Sequence, residues 1–143
     1  MKISDLPKIE VSFIISGENF DLEKFSREIG LMPTKIRTMD DWPEAIKNNM
    51  NLPKELRPRC VWKISQSESM CRDIEIPLEK IISQLERKEQ KIIESCERND
   101  LKKMVEIVIH AETMELPQIV LSLHTMSFLG RLGAEVGFDI YVY

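Results

Sequence analysis

The sequence predicts an α+β fold: a single domain over residues 1–143, with an antiparallel or mixed sheet and helices packed on one face. Two observations lead there. Strand-like and helical segments are interleaved, in the order β-α-β, a long loop, β-α-β, then a short strand, a helix and a last strand. Each strand alternates apolar with polar residues instead of running wholly apolar. Alternation marks one covered and one wetter face, which disfavours a doubly wound parallel sheet.

The first strand is "KIEVSFIIS". Ile9, Val11, Phe13 and Ile15 fall on one face, and Glu10, Ser12, Ile14 and Ser16 on the other. Asp21 then caps a helix over "LEKFSREI", where its carboxylate accepts a bond from a free backbone N–H. Leu22, Phe25 and Ile29 form the apolar stripe of that helix, and Gly30 ends it in a left-handed turn. "TKIRTMD" reads as a short second strand. From Asp40 to Arg59 the pattern dissolves into a long irregular loop or insertion (40–59) with Pro43, Pro53 and Pro58, and one helical turn near Glu44 to Asn49. Loops of this length in compact domains often carry function.

"CVWKIS" resumes as a strand, with Trp62 on the face of Cys60 and Ile64, followed by a polar link, "QSESMCRDIEI". One helix of about 20 residues, roughly 30 Å long, is expected from Pro77 to Cys96. Its apolar positions are Leu78, Ile81, Ile82, Leu85, Ile92, Ile93 and Cys96. "KMVEIVIHAE" is a strand with Val105, Ile107 and Ile109 on one face and Glu106, Val108 and His110 on the other. After the link "TMELP", "QIVL" reads as a short strand. Ser122 caps a helix over "LHTMSFLGRL", and Gly133 ends it. In the closing strand Val136, Phe138, Ile140 and Val142 point one way; Glu135, Gly137, Asp139, Tyr141 and Tyr143 point the other. The first and last strands are both expected inside the sheet, and burial of the four apolar residues is worth about 1.5–3 kcal/mol each.

The net charge of −4 lacks the basic field that nucleic acid requires, so no nucleic-acid partner is expected. Cys60, Cys71 and Cys96 are odd in number and have no metal or redox spacing. They read as reduced thiols of a cytoplasmic protein. No secretory leader and no stretch of 18 apolar residues is present, so no membrane partner is expected. The phosphate-loop, dinucleotide, HExxH and GxSxG signatures are missing. His110 and His124 are far apart in sequence, and no catalytic residue, metal ligand or cofactor is assigned; the expectation is a protein that is not an enzyme.

The wetter sheet face is the candidate site. Glu10, Glu106, Glu135 and Asp139 share it with His110, Tyr141 and Tyr143, while Asp40, Asp41 and Trp42 extend it from the loop. Carboxylates among tyrosines suit a basic protein partner: charge steers the encounter and tyrosine supplies contact area. A half-exposed sheet must in any case be polar on one side, Trp42 can equally fold back over the core edge, and Asp139 can equally fix its own strand. The alternative is a small-molecule-binding or regulatory domain, with Lys35, Arg37, Arg57 and Arg59 meeting an anion between sheet and loop.

"VSFIISGENFDLEKFSREIGLMPTKIR" resembles the opening of the bacterial domain-of-unknown-function family 4279. "CVWKIS" resembles its tryptophan strand, "PLEKIISQLERKEQKI" its long helix and "FLGRLGAEVGFDIYVY" its closing strand. The chain departs at "MDDW", where members more often carry a glycine-centred turn. The resemblance implies an α+β fold, a bacterial origin and no known cofactor. Small acidic bacterial domains of this kind also resemble immunity proteins that neutralise toxin domains, an analogy of size and charge.

Overall fold

A computed structural model describes residues 6–112 and 115–143, apart from the side chain of Glu55. Thr113 and Met114 of the "TMELP" link lie outside the described residues. The strands are β1 (Lys8–Gly17), β2 (Lys35–Arg37), β3 (Cys60–Met70), β4 (Lys102–Ala111) and β5 (Glu135–Val142). The helices are α1 (Leu22–Ile29), α2 (Glu44–Lys47), α3 (Glu75–Glu86), α4 (Glu89–Asn99) and α5 (Leu123–Leu132). The strands form one mixed sheet in the order β2-β3-β1-β4-β5. All neighbours are antiparallel except β4 and β5, which are parallel and joined through α5. This is the α+β architecture expected.

The alternation in β1 explains its central place. Ile9, Val11, Phe13 and Ile15 are fully buried under the helices. Trp62 sits beside them, packed edge-on against Phe25 at 5.2 Å, and its indole N–H donates to Ser26 Oγ at 2.8 Å. A buried indole satisfied in this way can sit in a core without an unpaired donor. α3 lies across β1 and β3, whereas α4 leans on α1. Ser95 of α4 donates to Glu28 at 2.9 Å, and Arg98 pairs with the same carboxylate at 3.3 Å.

The caps are where the sequence placed them. Asp21 accepts from the Lys24 N–H at 3.0 Å, and Ser122 accepts from the Thr125 N–H at 3.1 Å. Gly30 and Gly133 close their helices at φ 72° and 76°, a conformation that suits glycine.

Five expectations are corrected. The single helix over 77–96 is two, α3 and α4, broken between Glu86 and Glu89, where the backbone of Lys88 leaves helical geometry at φ −121° and ψ 13°. The apolar residues on both sides of the break keep step with one helical period, so periodicity alone hides it. β3 runs on to Met70 through the "polar link", because it pairs with β1 through backbone groups. A register shift between Ile9 and Val11 absorbs the mismatch. "TKIRTMD" supplies only three strand residues before a 3-10 turn over Met39–Asp41. "QIVL" is no strand; Gln118 makes one isolated bridge to Asp73. Finally, β5 is an edge strand. Its apolar face does point to the helix side, but Phe138, Ile140 and Val142 remain 42%, 43% and 44% exposed. An edge strand has a neighbour on one side only, so half of each side chain stays in water.

Candidate functional site

The bare face of the sheet can be read row by row from the strand register. One row places Met70, Lys8, His110 and Tyr141 side by side across β3, β1, β4 and β5. The next sets Glu10, Val108 and Asp139 abreast on β1, β4 and β5. A third runs Ser65, Ser12, Glu106, Gly137, and a fourth runs Lys63, Ile14, Met104, Glu135. Glu10, Glu106 and Asp139 therefore surround Val108 and Gly137, with Glu135 two rows from Asp139 along β5. Alternation puts these residues on one face, and strand pairing sets which of them stand abreast.

The aromatic end of the patch is ordered. The His110 ring stacks on Tyr141 at 4.9 Å and lies parallel to Tyr143 at 6.0 Å. His110 Nδ1 and the Tyr143 hydroxyl are 3.0 Å apart. The Tyr141 hydroxyl donates to Asp139 at 2.8 Å. That bond, then the carboxylate's charge, holds the Tyr141 phenol above its ordinary pKa, so it remains a neutral donor. A stack of three rings is a rigid contact surface that loses little entropy on binding. Asp139 itself is exposed on the edge strand, so its partner is Tyr141 and not a loop at the sheet centre. Lys8 and Glu68, which the sequence did not single out, line a hollow of about 220 Å³ beside His110 and Tyr143.

The face is not uniformly anionic. Lys63 lies between Lys35 and Ile14, and Lys102 lies beside Ser16. Glu10, Glu106, Glu135 and Asp139 lie on β1, β4 and β5, and the lysines are spread over the sheet, with Lys35 on β2, Lys63 on β3, Lys8 on β1 and Lys102 on β4.

The loop residues do not join the patch. Asp40, Asp41 and Trp42 follow β2, at the opposite edge from β5. Four inter-strand spacings separate the two edges, about 19 Å. Trp42 folds back: its indole N–H donates to the Arg59 carbonyl at 2.9 Å, and the Arg37 guanidinium lies 3.9 Å over its ring. Asp41 accepts from the Thr38 N–H at 2.7 Å and from the Thr38 hydroxyl at 3.1 Å, which hold its carboxyl below the ordinary range. Both residues serve the loop's own structure, and Asp40 is an exposed partner of Lys47 at 3.8 Å.

The four cations proposed for an anion also scatter. Arg37 is stacked on Trp42, Arg57 donates to the Leu52 carbonyl at 3.1 Å, and Lys35 stands beside Lys63. Arg59 lines a polar hollow between loop and sheet, and Arg57 lines a separate, smaller hollow with Glu18, Met39 and Pro58. An apolar hollow of about 620 Å³ between α1 and the turn into β2 lies at the β2 end, away from the carboxylates of the sheet face. Among the described residues no group of three or more His, Cys, Asp or Glu is placed to hold a metal ion, and no helix is long and apolar enough to cross a membrane.

The element order and the closing strand agree with one known family. Its model, a domain of unknown function (DUF4279), matches residues 7–143. The chain belongs to that family. The span of the match runs across the irregular stretch from Asp40 to Arg59. No curated protein and no solved structure matches the chain.

Proposed function

We propose that this DUF4279 chain is a non-enzymatic binding protein that takes a basic protein partner on the β1-β4-β5 half of its bare sheet face. One observation carries the reading: three carboxylates, Glu10, Glu106 and Asp139, and a stacked His110–Tyr141–Tyr143 cluster share a surface that the helices leave open. The carboxylates steer a cationic surface towards the sheet, and the rings supply the contact area that resists dissociation. The hydroxyl and imidazole groups are satisfied among themselves on an open surface, an arrangement suited to recognition. The most concrete form of the proposal is a cytoplasmic immunity protein of a bacterium, with the basic surface of a toxin domain as partner.

The test is affinity capture from a lysate of the source organism, followed by titration of the captured protein against variants. Glu106→Lys combined with Asp139→Lys is expected to weaken binding at least tenfold, since close charge pairs across interfaces are worth about 1.5–7 kcal/mol. Unchanged affinity removes this surface from consideration. A partner that is neutral or acidic overturns the charge argument.

A further inference from the structure

A second hollow, of roughly 610 Å³, opens at one end of the sheet where three chain crossings meet. The β1–α1 turn contributes Glu18 and Asn19, the end of the long loop contributes Lys54 and Arg59, and the α4–β4 turn contributes Asn99 and Asp100, with Lys102 following. The register explains the meeting: Gly17 is opposite Cys60, and Ser16 is opposite Lys102.

Arg59 is the anomaly in this hollow. Its Nε is buried and has no hydrogen-bond partner. A buried guanidinium donor left unpaired is costly, and native structures rarely keep one without a reason. Its backbone is held in place, since its carbonyl accepts from Trp42 at 2.9 Å. Among the described residues no ion pair joins Lys54, Arg59 or Lys102 to a carboxylate. Three cations thus face one hollow without a direct ion pair, against the two carboxylates Glu18 and Asp100. The two amides are already oriented. Asn19 Oδ1 accepts weakly from the Cys60 thiol at 3.9 Å, which leaves its NH₂ as donor. Asn99 Nδ2 donates to the Ser95 carbonyl at 2.8 Å, which leaves its Oδ1 as acceptor.

We propose that this hollow binds a phosphate monoester carried on a small hydroxyl-bearing molecule. The two terminal nitrogens of a guanidinium present a fork that matches two phosphate oxygens, and the two lysines neutralise the rest of the dianion. Glu18, Asp100 and Asn99 Oδ1 supply acceptors for hydroxyl groups on the same ligand. Those flanking carboxylates also repel an extended polyanion, in keeping with the net charge of −4. The hollow is of the size that takes small metabolites. This inference is independent of the sheet-face reading.

The experiment is calorimetric titration and thermal melting of the full chain at low salt, with ribose 5-phosphate, inorganic phosphate and ribose as probes. Ribose 5-phosphate is expected to bind and raise Tm, inorganic phosphate to bind more weakly, and ribose to do neither. Arg59→Gln and Lys102→Gln are each expected to weaken ribose 5-phosphate binding by about tenfold or more, with Lys35→Gln unchanged as control. Without ligand, Arg59→Gln is expected to melt no lower than the parent, because it removes an unpaired buried N–H donor. Lys102 is exposed, so its variant keeps the test valid if Arg59→Gln folds poorly. No stabilisation by millimolar ribose 5-phosphate overturns the proposal. So does equal binding of inorganic phosphate, or full binding by the Arg59 and Lys102 variants.

Discussion

Cys96 shows how one residue's setting reverses its chemistry. It lies on the inner side of α4, and burial pushes its thiol up from 9.0 to about 11. Desolvation penalises the thiolate, so the native state holds the proton while the unfolded chain releases it. Stability is therefore fully present below pH 9 and falls as pH rises from about 9 to about 11. Urea midpoints should drop between pH 8 and pH 10.5, and Cys96→Ala should narrow that drop; an identical drop in both proteins contradicts the assignment. The other thiols follow their burial. Cys71 is partly exposed and Cys60 is buried, so a thiol reagent at pH 8 should label Cys71 first in the native protein. Two tyrosines differ in a similar way. Tyr141 is tied to Asp139, and Tyr143 reaches His110, so each phenol has a fixed aim that the sequence spacing of two residues permits but does not specify.

β1 and β5 carry the same alternating pattern at the scale of elements, and the sheet gives them opposite fates. Phe13 is fully enclosed between β3, β4 and the helices, whereas Phe138 keeps 42% of its surface in water. Phe13→Ala should cost about 3–5 kcal/mol, while Phe138→Ala should cost about 1–2 kcal/mol. Chemical denaturation of the two variants checks this; equal losses would mean that β5 is covered. The helices are joined by polar staples that pattern analysis does not reveal. Glu75, in the first turn of α3, accepts from the Ser122 N–H at 2.6 Å and from the buried Thr125 hydroxyl at 3.1 Å, so it fastens the start of α5 to α3. At the other end of α5, Gly133 closes the helix and β5 starts two residues later. The parallel β4–β5 pairing depends on this crossover, because parallel strands need a connection long enough to return the chain.

The molecule as a whole is a sheet with two unlike faces and two unlike ends. Helices seal one face. The open face carries Glu10, Glu106, Glu135 and Asp139 on β1, β4 and β5, with lysines distributed over β1 to β4. The carboxylate cluster predicts how association responds to salt. With a cationic partner on the acidic half, the association rate should fall steeply as ionic strength rises, while the dissociation rate changes little. Stopped-flow measurements over a salt series distinguish this from a contact dominated by the rings, for which the association rate would stay flat.

The sequence by itself determined the local units: β1, α1 with its Asp21 cap and Gly30 stop, α5 between Ser122 and Gly133, and the division of each strand into two faces. Those features depend on neighbours within about four residues, which a chain carries wherever it goes. It also named seven residues of one face correctly, Glu10, Glu106, His110, Glu135, Asp139, Tyr141 and Tyr143, because side-chain alternation fixes a face once a strand exists. Only the tertiary structure decided which strand is central and which is an edge, that Lys8 enters the carboxylate patch, and that Asp40, Asp41 and Trp42 lie at the far side of the sheet. It alone also brought Lys54, Arg59 and Lys102 around one hollow. Strand order and register are set by contacts between residues dozens of positions apart, and no local pattern encodes the distance between them.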